Sequence, residues 1–219
     1  MNVKKHGCMI FAVVLFFFVC LPQMSAAEGE YSETIDVLKI VYKNEVIASR
    51  TYAAFAQKAS QENFPEIAAL FSALSESERL HAHNFGSVLA ALNVTVDDES
   101  LSPGTVATTK ENLHYAVTVE LSEIGEGYPG FIKRVTPEGN QSAIDFLTFA
   151  WRAEGQHRDH IEKIQKFSQR FFSAVAKRIK KEGTDYYVCQ NCGSTLNEIP
   201  DDTCPICSSS SQEYQAIEG

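Results

Sequence analysis

The chain has 219 residues, 44% of them hydrophobic and 21% charged, with a formal net charge of −9. That balance supports a buried core of ordinary domain size and excludes a disordered or fibrous chain. With 19 Lys and Arg against 28 Asp and Glu, and no long basic stripe, it also argues against nucleic acid as a partner.

Residues 1–27 read as a signal peptide. Lys4 and Lys5 precede an apolar run from Cys8 to Leu21, and Ser25, Ala26 and Ala27 are the small residues a signal peptidase reads. Cleavage after Ala27 would leave 17 basic against 28 acidic residues, a charge of about −11, and would remove Cys8 and Cys20. The apolar run is short for a membrane span, so the expectation is an exported, periplasmic protein with no stable span after cleavage.

Four amphipathic helices follow, making a bundle over residues 28–182. The first carries Leu38, Tyr42, Glu45, Tyr52, Phe55 and Ala59 at helical spacing. A short link near Asn63 leads to the second, with Ile67, Leu70, Leu74, Glu78, His81, Phe85, Val88 and Leu92. The stretch from Val94 to Thr109, with Pro103 and Gly104, is too long for a hairpin and reads as a crossover. The third helix runs through Leu113, Val117, Glu120, Glu123, Gly127 and Phe131. After a link at Thr136 to Gly139, the fourth carries Ile144, Leu147, Ala150, Glu154, His157, Ile161, Ile164 and Phe171. Its end holds Lys177, Arg178, Lys180 and Lys181, a cluster suited to a helix C-terminus.

Seven ionisable groups therefore sit inside apolar stripes: Glu45, Glu78, His81, Glu120, Glu123, Glu154 and His157. Buried carboxylates need compensating charge or protons, and no Lys or Arg shares these stripes. Two metal ions would meet that need. The Glu-x-x-His pairs at Glu78–His81 and Glu154–His157 set two ligands on one helix face, about 4.5 Å apart along the axis. A single such pair is better explained by a solvated face or a buried hydrogen bond. Four stripes interrupted in phase are not, and they match the di-metal bundle pattern of one Glu from each of two helices plus two Glu-x-x-His pairs. Oxygen ligands with two imidazoles favour iron or manganese. Glu62, Glu66, Glu76, Glu111 and Glu162 lie off the stripes and are expected to face solvent, and His83, His114 and His160 are not expected to be ligands.

Residues 183–219 form a second unit. Cys189-Gln-Asn-Cys192 and Cys204-Pro-Ile-Cys207 are two Cys-x-x-Cys knuckles eleven residues apart, the spacing of a four-thiolate tetrahedral site. Tyr186, Tyr187, Ile199 and Tyr214 offer only a small core, so this unit depends on its metal to fold. Spacing alone leaves iron and zinc open. Disulfides are the competing reading in an oxidising compartment, and the paired knuckles favour metal.

The stretches Glu45 to Phe55, Ile67 to Phe71, Glu78-Arg-Leu-His81, Asn112-Leu113, Glu120-Leu-Ser-Glu123, Tyr128-Pro129 and Ala153-Glu154-Gly-Gln-His157 closely resemble rubrerythrin, over residues 33 to 217. The resemblance implies a mainly α fold, a ferritin-like four-helix bundle with a C-terminal rubredoxin-like domain. It implies a non-haem di-iron peroxidase that reduces hydrogen peroxide, with two irons in the bundle and one iron, or less readily zinc, at the four cysteines. Glu45, Glu78, Glu120, Glu123, Glu154 and His157 then become ligands, and His81 and Glu123 a pair that exchanges at one iron. Tyr52 and Tyr128 match tyrosines beside the centre, where core packing explains them as well as catalysis does. The resemblance also implies a head-to-tail homodimer.

Two positions depart from the family pattern. Val119 stands where glycine is common before the third-helix Glu, and Ser208 follows Cys207 where a knuckle usually places glycine for a left-handed turn. Export raises a further expectation: nicotinamide-driven reductases are absent outside the inner membrane, so the electron donor should be periplasmic, with a cytochrome as the candidate. A ferroxidase or iron-handling protein would use the same carboxylates without needing the thiolate tail. A non-enzymatic scaffold would carry zinc there.

Overall fold

The computed structural model describes residues 29–182 and 185–217, the side chains of 164–182 excepted. The expected signal peptide, Ile164, Phe171 and the basic cluster from Lys177 to Lys181 therefore lie outside what is described. Among the described residues no helix is long and apolar enough to cross a membrane.

The fold is a four-helix bundle followed by a small sheet. Helix α1 spans Ser32–Gln61 and α2 spans Pro65–Ala91, packed against each other along most of their lengths. Both end on an asparagine in the left-handed conformation, Asn63 at φ 63° and Asn93 at φ 62°. In each case the next amide returns to the helix, Phe64 N to Ala59 O and Val94 N to Leu89 O, both at 2.9 Å. This closing motif satisfies carbonyls that the helix end would leave unpaired. The crossover after α2 is held by α1. Arg50 donates to Asp98 O at 2.7 Å and to Leu101 O, and Gly104 N donates to Thr51 Oγ1 at 2.8 Å. Thr108 then opens α3, Thr109–Ser122, with a reciprocal cap to Glu111.

The third helix is not continuous as its periodicity suggests. After Ser122 the chain makes a π-turn, Glu123–Gly127, and resumes as α4 over Tyr128–Val135. A wide turn inserts an extra residue and re-aims the side chain at its start, which here is Glu123. The Trp151 indole N–H, from the chain's single tryptophan, donates to Ile124 O at 3.0 Å and so ties this turn to α5, Gln141–Glu182.

The core is divided into two apolar layers. Tyr52, Phe55, Phe71, Leu74, Val117 and Ile161 belong to one, and Leu38, Val41, Phe85, Tyr128, Leu147 and Ala150 to the other. Along every helix the chain passes from one layer to the other across its acidic residue: Glu45, Glu78, Glu120 or Glu154. The polar cluster is thus sandwiched at mid-bundle. Glu66, expected at the surface, is buried in the first turn of α2, a location where a helix N-terminus favours an acid.

The C-terminal unit is a three-stranded antiparallel sheet in the order β2, β1, β3. Here β1 is Tyr186–Cys189, β2 Thr195–Leu196 and β3 Tyr214–Ile217. Tyr186, Val188, Ile206 and Tyr214 are buried, whereas Ile199, expected in this core, is 46% exposed.

Candidate metal centres

Two sets of potential ligands converge in the bundle. Glu45, Glu78, His81 and Glu154 form one, and Glu78, Glu120, Glu154 and His157 the other, each with its ligand atoms within 4.8 Å of one another. Glu78 and Glu154 belong to both sets, the arrangement that lets two carboxylates bridge a metal pair. Both imidazoles turn Nδ1 inward. His81 Nδ1 lies 2.8 Å from Glu78 and 3.3 Å from Glu154, and His157 Nδ1 lies 2.9 Å from Glu154 and 3.2 Å from Glu78. Tyr52 donates to Glu120 at 2.6 Å, and Tyr128 donates to Glu45. Glu123, expected among the ligands, stands outside both sets. It is half-buried at the head of the π-turn and borders two cavities, of about 270 and 170 Å³, that also touch Asn44 and Val119.

The charges show what is missing from this cluster. Burial, and then repulsion from Glu78, pushes Glu45 well above the usual carboxylate range. Burial followed by Glu154 does the same to Glu120 and Glu123. Burial would lower both histidines, but hydrogen bonds and attraction from Glu78 and Glu154 override it and raise each to about 10. Glu154 is held below its normal range: burial opposes this, and His157 more than compensates. Without cations the site must retain protons. Glu120 Oε2 and Glu154 Oε1 are buried with no hydrogen-bond partner, orphaned acceptors of the kind a bound cation satisfies. Hard oxygens, two inward Nδ1 atoms and a charge deficit fit a pair of iron ions.

The four cysteines fit a third ion. All are free thiols and lie within 4.8 Å of one another, with Cys192 and Cys204 at 3.5 Å and Cys189 and Cys207 at 3.9 Å. A tetrahedral ion with metal–sulfur bonds of about 2.3 Å requires sulfur–sulfur edges of about 3.8 Å. A disulfide would need about 2.05 Å, so the disulfide alternative is not what this arrangement holds. Hydrogen bonds from Cys189 and then Cys192 pull Cys207 down to about 5 and Cys204 lower still, whereas the same network pushes Cys189 and Cys192 up, so without metal the cluster keeps protons on two of its four sulfurs. Tyr214 donates to Cys204 Sγ at 3.3 Å, and Ser209 Oγ lies 3.0 Å from Cys207 Sγ.

The first knuckle is seated directly on the outer edges of the two imidazoles. Ser77 donates to Gly193 O at 2.7 Å and stands 3.0 Å from His157 Nε2. A Cβ on Gly193 would lie 2.5 Å from His81 Nε2, so only glycine fits there. Asn84 donates to Asn191 O, Gln156 accepts from Ser194 and from Thr195 N, and His160 Nε2 lies 3.0 Å from Thr195 O. Arg152 donates to Ile206 O and Pro205 O of the second knuckle. None of Ser77, Asn84, Arg152 or Gln156 is singled out by sequence periodicity, because each reaches a loop many residues away. His160 stands outside both bundle ligand sets, and its contact with the knuckle was not expected.

Comparison with known proteins agrees with this geometry. The rubrerythrin family model matches residues 36–165, more than half of the chain. The chain belongs to the rubrerythrin family. Rubrerythrin-2 of Clostridium acetobutylicum is 27% identical over 187 residues, covering 84% of this chain and 96% of the relative. Nigerythrin of Nitratidesulfovibrio vulgaris is 25% identical over 174 residues, covering 80% and 81%. A solved mixed-valence state of nigerythrin superposes with a TM-score of 0.71 at 25% identity, covering 84% of this chain and 86% of that one. The carboxylate–histidine cluster is accordingly the di-iron site of a rubrerythrin, and the four cysteines are its rubredoxin-like iron site.

Proposed function

We propose that this rubrerythrin reduces hydrogen peroxide to water, with electrons delivered through the rubredoxin-type iron. One observation carries the reading: the thiolate knuckle rests on the imidazoles of a dry di-metal cage whose two halves share Glu78 and Glu154. Reducing one peroxide consumes two electrons and two protons and yields two waters. When bound, the iron pair supplies those electrons, one from each metal. Glu78 and Glu154 would hold the pair together, Glu45, Glu120 and His157 would complete it, and His81 and Glu123 would be exchangeable ligands of one metal. Tyr52 and Tyr128 fix the Glu120 and Glu45 carboxylates by hydrogen bonds. The cavities bordered by Glu123 and Val119 offer the oxidant its way in, and the half-buried Glu123 carboxyl is placed to carry a proton to it.

The ferroxidase and zinc-scaffold alternatives leave the knuckle's seat on the rings without a use. Metal analysis with a visible spectrum, followed by rapid mixing of reduced protein with peroxide, tests the proposal. Iron in the knuckle, and reoxidation far faster than in Glu78→Ala, are expected. Zinc in the knuckle, or equal rates, would overturn it.

The working unit is proposed to be a homodimer exchanging knuckles. That arrangement is what the family resemblance implies, and a monomer by sedimentation would reject it. Residues 1–27 support export, so the donor is proposed to be periplasmic, a cytochrome being the chemistry that fits. Reduction by a periplasmic extract, and none by a nicotinamide-driven reductase, is the expected result.

A further inference from the structure

The two imidazoles of the cage meet the knuckle differently. Both use Nδ1 toward the carboxylates, which leaves Nε2 as the nitrogen of each ring that faces the thiolate domain. His81 Nε2 is buried with no hydrogen-bond partner and merely abuts Gly193. His157 Nε2 stands 3.0 Å from Ser77 Oγ, whose own proton is committed to Gly193 O at 2.7 Å. With that proton spent, Ser77 can only accept from His157. The imidazole must then carry its hydrogen on Nε2 and present the Nδ1 lone pair to the metal side. Ser77 and His157 are fully buried, so no water competes for either bond. Gly193 is covalently next to Cys192, which makes an unbroken path from a thiolate ligand through two peptide groups, one hydroxyl and one imidazole.

We propose that Ser77 is the coupling residue between the two metal centres: its hydroxyl orients His157 and carries the electron route from Cys192 through Gly193 into the Glu78, Glu120, Glu154 and His157 half of the cage. The inference rests on the electron-transfer reading above. It adds that entry is one-sided, since His81 offers contact without a hydrogen bond. Thr195 Oγ1 lies 3.5 Å from the same nitrogen, at the outer limit of a hydrogen bond, and also donates to Gly193 O at 3.0 Å. It is a weaker second bridge, removed together with the first in Ser77→Ala/Thr195→Val.

Two measurements decide the matter. In the first, fully reduced protein is mixed rapidly with peroxide while the bundle and knuckle bands are followed separately. In Ser77→Ala the knuckle step should slow by about tenfold more than the bundle step, the usual scale for losing a partner of a metal-bound imidazole. The double variant should slow it further, and Ser77→Thr, which restores the hydroxyl, should recover it. The knuckle midpoint potential should stay unchanged, so that altered driving force is not the cause. A knuckle step that keeps pace with the bundle step in the double variant would overturn the proposal. In the second, zinc-loaded protein is examined by NMR for the His157 Nε2–H, which should exchange slowly with solvent in the parent and Ser77→Thr and rapidly in Ser77→Ala. Loss of that protection in the parent would overturn the relay whatever peroxide does. A parent bundle centre inert to peroxide would instead defeat the functional reading and leave the second measurement to decide the relay.

Discussion

The two cysteine knuckles make the same backbone turn in opposite surroundings. Gly193 N donates to Cys189 O and Ser208 N to Cys204 O, both at 2.9 Å, and both residues are left-handed, at φ 78° and 61°. The first knuckle is pressed against His81 and Ser77, where a Cβ would collide. The second touches the bundle through Pro205 and Ile206, but its turn residue Ser208 is exposed. The metal site dictates the turn in each, but only contact with the bundle dictates glycine. At Ser208 the absence of glycine costs the intrinsic left-handed penalty of about 1–2 kcal/mol and nothing more.

Gly193→Ala should therefore have the largest effect of any single change at either knuckle. Overpacking and left-handed strain together cost about 3 kcal/mol, enough to lift the knuckle from the bundle. Trp151 is the sole tryptophan and lines the seam with Pro205 and Ile206, so its fluorescence should report the separation. An unchanged spectrum and stability would refute the packing argument.

The surface under the first knuckle should also be sensitive to pH when metal is absent. His81 and His157 have raised folded values, so their contribution is complete below pH 6.5 and disappears as pH climbs toward about 10. Glu45 and Glu120, also raised, lose theirs upward from pH 4.5. Glu154, lowered, contributes above pH 4.5 and loses its share as pH falls below that. Thermal unfolding of metal-free protein should accordingly shift to lower temperature between pH 6.5 and 10, while iron-loaded protein holds steady because metal has replaced the protons. Parallel pH profiles for the two forms would contradict this.

Smaller effects are expected on the second knuckle. Arg152→Ala removes two donors to the Pro205 and Ile206 carbonyls and should weaken docking by about 1 kcal/mol, read from urea unfolding. Ser208→Gly should be the mildest change and the only favourable one, stabilising the iron-loaded knuckle by about 1 kcal/mol. Destabilisation there would mean that the hydroxyl does something beyond occupying the turn.

Sequence reading succeeded where both ends of an interaction lie within a turn or two of helix. The inward Glu-x-x-His pairs, the acid at the midpoint of each stripe and the Cys-x-x-Cys spacing are local patterns tied to the 3.6-residue period or to a tetrahedral ion. The departure at Ser208 was visible for the same reason. It missed the π-turn that begins at Glu123, whose spacing from Glu120 and Gly127 suits a continuous helix equally well, so the turn left no mark in the periodicity. It also misplaced Glu66 and Ile199, whose exposure depends on what packs over them.

The amino-acid order thus determined by itself that this chain forms a metal-dependent bundle and a thiolate knuckle, because ligand spacing and buried charge are properties of single segments. The meeting of the two units alone set the knuckle on the imidazoles, joined Ser77 to both Gly193 and His157, and left Gly193 no room for a side chain. Ser77 and Gly193 are 116 residues apart, and nothing local in either stretch encodes a hydrogen bond that exists only after both units have folded and met.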